Sequence, residues 1–284
     1  MNKLIALIDG SIYTHSVCDH AAWVAGRTGA AVELMHVLGR REIASAPANL
    51  SGNITLGAQT ALLEELSALD EQRAKLAQKR GRAILGDAKA LVEAAGVAEV
   101  TTKLRIDDVV ETVTQFEGEV DMVMIGKRGE AADFAKLHLG SNLERIVRSC
   151  HQPVFVASRA FKPIEQILVA YDGGASSMKA VDHIARSPLF AGLTCRLLSV
   201  GPETAESRKR LGDAEAVLRA GGYTVDAALL PGQPEAVIAQ VVEAEGIDLL
   251  VMGAYGHSRI RSLIIGSTTT EMLRSCKIPV VLFR

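Results

Sequence analysis

Ile167-Leu168-Val169-Ala170-Tyr171-Asp172-Gly173 restates, 163 residues further along the chain, Leu4-Ile5-Ala6-Leu7-Ile8-Asp9-Gly10. Each is a bounded apolar run of strand length that ends on an acid and a glycine, the pattern of a buried strand leaving a sheet into a turn. Two more matches follow. Asp121-Met122-Val123-Met124-Ile125-Gly126 returns as Asp248-Leu249-Leu250-Val251-Met252-Gly253 at an offset of 127. Gly140-Ser141 and Arg148-Ser149-Cys150-His151-Gln152-Pro153-Val154 return as Gly266-Ser267 and Arg274-Ser275-Cys276-Lys277-Ile278-Pro279-Val280 at 126. A repeat of this kind decides the architecture before any single segment does. The fall from 163 to 127 gives the first copy 36 residues that the second lacks, and the last step adds one residue to its glycine loop. The copies meet in the polar stretch Ser158 to Pro163, predicting domains over 1–158 and 164–284.

Within each copy strands alternate with helices. The first reads as a strand at 3–8, a helix from Tyr13 to Arg27, a strand from Ala31 to Val37 and a loop over 38–56. Leu62, Leu66, Leu69, Leu76, Ala83, Ala88, Leu91 and Ala95 then recur at helical spacing, most simply as a core-facing stripe, with a partner or lipid groove as the alternative. Gly81 and Gly86 weaken the case for one unbroken helix there. The extra loop and long helix together occupy 38–95. A strand near Val100 to Leu104, a helix over Asp107 to Phe116, a strand at 121–125, a helix from Ser141 and a strand at 153–157 complete the copy. The second copy keeps this order with a shorter helix between Glu203 and Ala220. Such alternation predicts an α/β fold: two tandem doubly wound domains, each a five-stranded parallel sheet with helices on both faces. Ligands in these sheets sit beyond the carboxyl ends of the strands, where strand order reverses.

Composition agrees. Of 284 residues, 48% are hydrophobic and only 4% aromatic, so the core is aliphatic, as buried parallel strands require. A formal net charge of −2 gives no reason to expect nucleic acid. The amino-terminal apolar run meets Asp9 at once, too short for a signal-peptide core, and no stretch approaches a membrane span, so a cytoplasmic protein is expected. Cys18, Cys150, Cys195 and Cys276 are widely spaced, which predicts reduced structural thiols and no zinc cluster or redox pair. The histidines show no metal-ligand spacing, and neither a P-loop, a GxGxxG turn nor a GxSxG elbow is present.

The chemistry concentrates in the loop after the fourth strand of the second copy. Gly253, Gly256, Gly266 and Ser267 follow the pattern Gly, two residues, Gly, nine residues, Gly-Ser, with Thr268 next. Glycines let a ligand approach the backbone, and a helix start offers unpaired N–H groups and the positive end of its dipole, which suit a phosphate. His257, Arg259 and Arg261 add positive character and the loop carries no acid. An ordinary N-cap explains Gly-Ser before a helix equally simply. In the first copy Gly126 and Gly129 are followed by ten residues before Gly140-Ser141, and Glu130 and Asp133 oppose a phosphate.

These residues resemble the universal stress protein family over nearly the whole chain. The nucleotide-binding branch of that family carries Gly-x2-Gly-x9-Gly-Ser/Thr, which the second copy matches in full. The resemblance implies that family's adenine-nucleotide alpha hydrolase-like fold, with ATP as the ligand and Mg as a candidate companion. It implies binding through Asp172, Val200, Met252, Gly253, Gly256, His257, Arg259, Gly266, Ser267 and Thr268. Asp172 takes the ribose or a cation in this reading; as an Asx turn it simply caps the next helix. Val200 and Met252 wall the adenine, or are plain core. The matching first-copy positions, Asp9, Val37, Gly126, Gly129, Gly140 and Ser141, form the weaker site. Family members commonly dimerise through the last strand, so the resemblance implies an intramolecular pseudo-dimer through 153–157 and 279–283, or a homodimer of the fused chain. It names no protein partner. The function implied is regulatory, with ATP shifting conformation or partner choice in a stress response. A weak ATPase and a scaffold that binds no nucleotide are the alternatives.

Overall fold

The computed structural model describes residues 1–39, 56–128, 140–254 and 267–284. In the first half, strands β1 (Lys3–Leu7), β2 (Ala31–Leu38), β3 (Val100–Ile106), β4 (Met122–Gly126) and β5 (Val154–Ala157) alternate with helices. These are α1 (Thr14–Thr28), α2 (Leu56–Ala94), α3 (Val109–Phe116) and α4 (Ser141–Ser149). The second half repeats the order. Its strands are β6 (Gln166–Ala170), β7 (Thr194–Val200), β8 (Val225–Leu230), β9 (Leu249–Gly253) and β10 (Val280–Phe283). Its helices are α5 (Ala175–Arg186), α6 (Ala205–Ala220), α7 (Pro234–Ala244) and α8 (Ser267–Ser275).

All ten strands form one mixed sheet in the order β3-β2-β1-β4-β5-β10-β9-β6-β7-β8. Each half is parallel within itself, and the halves join through one antiparallel pair, β5 with β10, in which Val281 lies opposite Phe155. That is the seam expected from strands 153–157 and 279–283. Strand alternation sends Leu4, Ala6 and Ile8 to one face and Ile5 and Leu7 to the other. The first face is covered by α1, α2, α5 and α6, the second by α3, α4, α7 and α8.

The repeated Asp121 and Asp248 prove structural. Asp121 Oδ2 accepts from the Asn2 and Lys3 amides, and Asp248 Oδ2 from those of Glu165 and Gln166, which ties the entry of β1 and of β6 to its neighbouring strand. Each half also caps the other's last helix. Lys127 Nζ donates to Cys276 O at the end of α8, and an Arg284 guanidinium N–H donates to Ser149 O at the end of α4, at 3.1 Å. Cations suit helix carboxyl ends. Burial raises the Cys18, Cys150 and Cys195 thiols to about 12, and all four cysteines are free thiols, in keeping with structural roles.

Helix α2 departs from expectation twice. It runs unbroken through Gly81 and Gly86. Gly81 is where the helix crosses closest to the sheet: an added Cβ there would lie 2.8 Å from both the His36 ring and Leu104 Cδ1, at the carboxyl ends of β2 and β3. Of the expected core-facing stripe, Ala88 is buried and Leu91 half-buried beyond that crossing, while Ala83 and Ala95 are exposed; the buried face is shifted from the expected one. Leu85, Ala88 and Val92 are buried, whereas Leu62, Leu69 and Leu76 are 37%, 49% and 68% exposed. The reason is length. A crossover helix runs antiparallel to the strands it joins, and 39 residues span about 58 Å, more than twice the reach of an eight-residue strand. Everything before Gly81 therefore overhangs the carboxyl edge of the first half.

Candidate functional site

Strand order reverses between β6 and β9, so the crevice of the second half opens at their carboxyl ends. Asp172 leaves β6 there. Its Oδ1 accepts from the Gly174 amide at 2.8 Å and the Ser177 hydroxyl at 2.6 Å, which makes it the turn that starts α5. Gly253 ends β9 against that same turn: an added Cβ would lie 3.0 Å from Ser176 Cβ and from the Ser177 amide. A side chain at 253 would press on the start of α5 and require it to give by a few tenths of an ångström, so packing favours glycine here apart from any ligand. Met252 is buried beside Ala170, within the core, while Val200 at the end of β7 is half-buried.

The start of α8 is drawn to the same spot by a residue outside the motif. Thr269 is buried, and its hydroxyl reaches the carbonyls of Gly253 at 3.4 Å and Ala254 at 3.3 Å. Thr268 stands half-exposed one residue earlier, and the first turn of α8 contains no acid. Arg210 of α6 adds a cation: its Cδ would lie 3.0 Å from a Cβ at Gly173, and it pairs with Glu206 one turn back. Asp172, Gly253, Thr268 and the α8 start are thus brought together, with Val200 at the neighbouring strand end. Gly256, His257, Arg259 and Gly266 lie outside the described residues.

The first half holds the same frame with different chemistry. Asp9 Oδ1 accepts from the Ser11 amide at 3.0 Å, and a Cβ at Gly126 would lie 2.8 Å from Tyr13 Cβ. Val37 is half-buried, Gly140 caps α4 and Ser141 begins it, while Gly129 lies outside the described residues. Over Gly10 sits Ile84, whose Cδ1 would be 2.7 Å from an added Cβ, in the place Arg210 takes over Gly173. Glu144 occupies the first turn of α4. Lys127, the first residue after β4, is buried and turned across the seam to Cys276; burial pulls its ammonium down to about 8.

Arg210, Thr269, Ile84 and Lys127 were missed by the motif reading. For the first and third a signal existed: Leu85-Gly86-Asp87-Ala88 returns as Leu211-Gly212-Asp213-Ala214, which sets Ile84 against Arg210.

The Universal stress protein family profile matches residues 1–158 and 196–284. The chain belongs to the universal stress protein family. Universal stress protein Slr1230 of Synechocystis sp. (strain ATCC 27184 / PCC 6803 / Kazusa) is 38% identical over 287 residues, with both chains covered in full. Among solved structures, a universal stress protein from Archaeoglobus fulgidus DSM 4304 superposes with a TM-score of 0.72 at 19% identity, covering 100% of this chain and 98% of the other. The functionally unknown protein PA1789 from Pseudomonas aeruginosa PAO1 gives 0.62 at 15% identity, covering 100% and 92%. At those identities the superpositions speak for the fold, and they extend it over both halves of this universal stress protein. No helix among the described residues is long and apolar enough to cross a membrane.

Proposed function

We propose that this universal stress protein binds ATP in its second domain, residues 164–284, and acts through nucleotide-dependent conformation or partner choice in a stress response. The observation that carries the reading is the meeting at Gly253 of a helix start without acids and, over the adjoining turn, the Arg210 side chain. The donor set fits a polyphosphate. The amides of the first α8 turn, which a helix start leaves without carbonyl partners inside the helix, and the Thr268 hydroxyl donate to phosphate oxygens in this reading, and Arg210 balances their charge. Asp172, whose Oδ1 also starts α5, stands on the ribose side in this reading. Val200 lines the adenine side. Gly256, His257, Arg259 and Gly266 complete the loop by the sequence motif. Among the described residues no three His, Cys, Asp or Glu side chains gather to hold a metal, so Mg enters only as the counter-ion of the nucleotide. The first domain, residues 1–158, is proposed as the specialised copy, its weaker site at Asp9, Val37, Gly126, Gly129, Gly140 and Ser141 set aside from ATP.

Calorimetric titration of the nucleotide-free full chain with ATP tests this. One site per chain is expected. Arg210→Ile, which installs the residue of the first half, should weaken binding about tenfold, the lower end for a charge-assisted hydrogen bond because the side chain is half-exposed and shared with Glu206. No heat in a folded sample overturns the site, and two equal sites overturn the division of labour.

A further inference from the structure

The α2 overhang is more apolar than a solvent-bathed helix has reason to be. Among the described residues six large hydrophobic side chains are exposed, and four of them, Leu62, Leu63, Leu69 and Leu76, stand on this arm. Leu62, Leu69 and Leu76 fall seven residues apart, and Leu66 adds the intervening position of a 3-4 repeat. A period of 3.5 suits a two-helix seam; a helix lying on its own sheet follows 3.6. An isolated helical segment of this length is marginal in water without a partner for its apolar side.

The charges along the arm say which partner. Residues 64–71 carry Glu64, Glu65, Asp70 and Glu71 and no base, and residues 73–82 carry Arg73, Lys75, Lys79, Arg80 and Arg82 and no acid. The arm is thus −4 on one side of Gln72 and +5 on the other. A parallel copy would set like charge on like. An antiparallel copy sets the acidic stretch of each arm toward the basic stretch of the other, and a two-fold axis level with Glu71 satisfies both copies by the same contacts. In that register Leu66 meets Leu76 of the other copy twice, and Leu62 and Leu69 lie against the stems of Arg80 and Arg73. Arginine stems cover apolar surface well. Glu65 stands beside Lys79 across the seam. The pairs already present within the arm, such as Lys75 with Glu71 at 2.6 Å, are exposed i,i+4 contacts that survive this docking.

We propose that the amino-terminal arm of α2, residues 62–80, joins two copies of this chain as an antiparallel coiled coil. The fused halves already use β5 and β10 on each other, and the arm supplies a second interface at the carboxyl edge of the first half.

Sedimentation of the full chain without nucleotide tests it. The wild type should sediment as a dimer in the micromolar range, and Leu69→Glu with Leu76→Glu should give a monomer that keeps a cooperative melting transition and loses at most the helical signal of the arm, because both side chains are exposed and outside the core. Orientation is read separately. Under mild oxidation, chains carrying Glu65→Cys should cross-link to chains carrying Lys79→Cys, and neither should cross-link to itself. A monomeric wild type, including one that instead floats with anionic vesicles, overturns the proposal. So does a dimer that survives the double substitution, or self-cross-linking at residue 65.

Discussion

Gly81 and Gly86 lie in one helix, five residues apart, and the structure assigns their replacement opposite signs. In a helix interior alanine is favoured over glycine by about 0.8–1 kcal/mol. At Gly86 an added Cβ meets nothing within 4 Å, so Gly86→Ala should collect nearly all of that gain. At Gly81 the same methyl would lie 2.8 Å from the His36 ring and from Leu104 Cδ1. Leu104 is half-buried and can turn aside. His36 is buried, and its Nδ1 lies 2.5 Å from Ile8 O, so yielding there means giving up a buried hydrogen bond or lifting the helix. Overpacking of this kind costs about 1–3 kcal/mol, which exceeds the propensity gain. Gly86→Ala should therefore raise the melting temperature by about 2–4 °C, and Gly81→Ala should lower it by up to a similar amount. Thermal denaturation followed by circular dichroism at 222 nm decides the matter on the full chain. Equal stabilisation by both substitutions would refute the close approach of α2 to His36, and with it the place where the arm leaves the sheet.

Three further outcomes are expected. His20 is buried and His183 half-buried, and desolvation holds both imidazoles below their usual value of 6.5, so the unfolded chain binds more protons as the pH falls past that value; stability should drop there, and replacing both with Gln should flatten the profile measured by urea denaturation. Lys127 is held at about 8 in the folded chain against 10.5 for the free side chain, so its own contribution to stability should grow as the pH climbs between those values; the stability difference between the wild type and Lys127→Met should rise across that window in the same assay, while the raised cysteine thiols pull both profiles the other way. Thr269→Val should cost about 1 kcal/mol through the lost contacts to Gly253 and Ala254, and should lower ATP affinity in calorimetry by loosening the start of α8.

The repeat made most of this architecture readable, because a buried strand ending in Asp-Gly and a strand ending in Gly say the same thing twice. The seam between the halves, β5 with β10, is where the family resemblance puts it, and nothing in the repeat alone locates it. The sequence misled at α2, where heptad and core-facing stripes share their apolar residues over a short window. Only the position of the sheet edge separates Leu85, which is buried, from Leu76, which is not. The site residues divide in the same way. Asp172 and Gly253 were found because they repeat, yet the structure gives both a packing task that motif reading alone cannot weigh against ligand contact. Arg210 escaped because it is distant in sequence from the loop it serves and reaches it only through the packing of α6 on α5; Thr269 escaped although it follows Thr268 directly, because only the packing of α8 on β9 turns its hydroxyl to Gly253 and Ala254.

The two halves differ where a phosphate would feel it, and the difference has a consequence for the seam. Arg210 stands over the turn in one half and Ile84 in the other; the helix start is free of acid in one and carries Glu144 in the other. The first cation of the first-half loop, Lys127, has left its own crevice to hold Cys276 O at the end of α8. Helix α8 is only nine residues, about 13 Å long. Its amino end is the proposed phosphate seat, fixed to β9 by Thr269, and its carboxyl end is gripped by the other half. A rigid element of that length moves as one body, so under the proposed ATP reading a ligand that draws in the first turn of α8 would pull on Lys127 across the seam, and Lys127→Met should change ATP affinity in calorimetry.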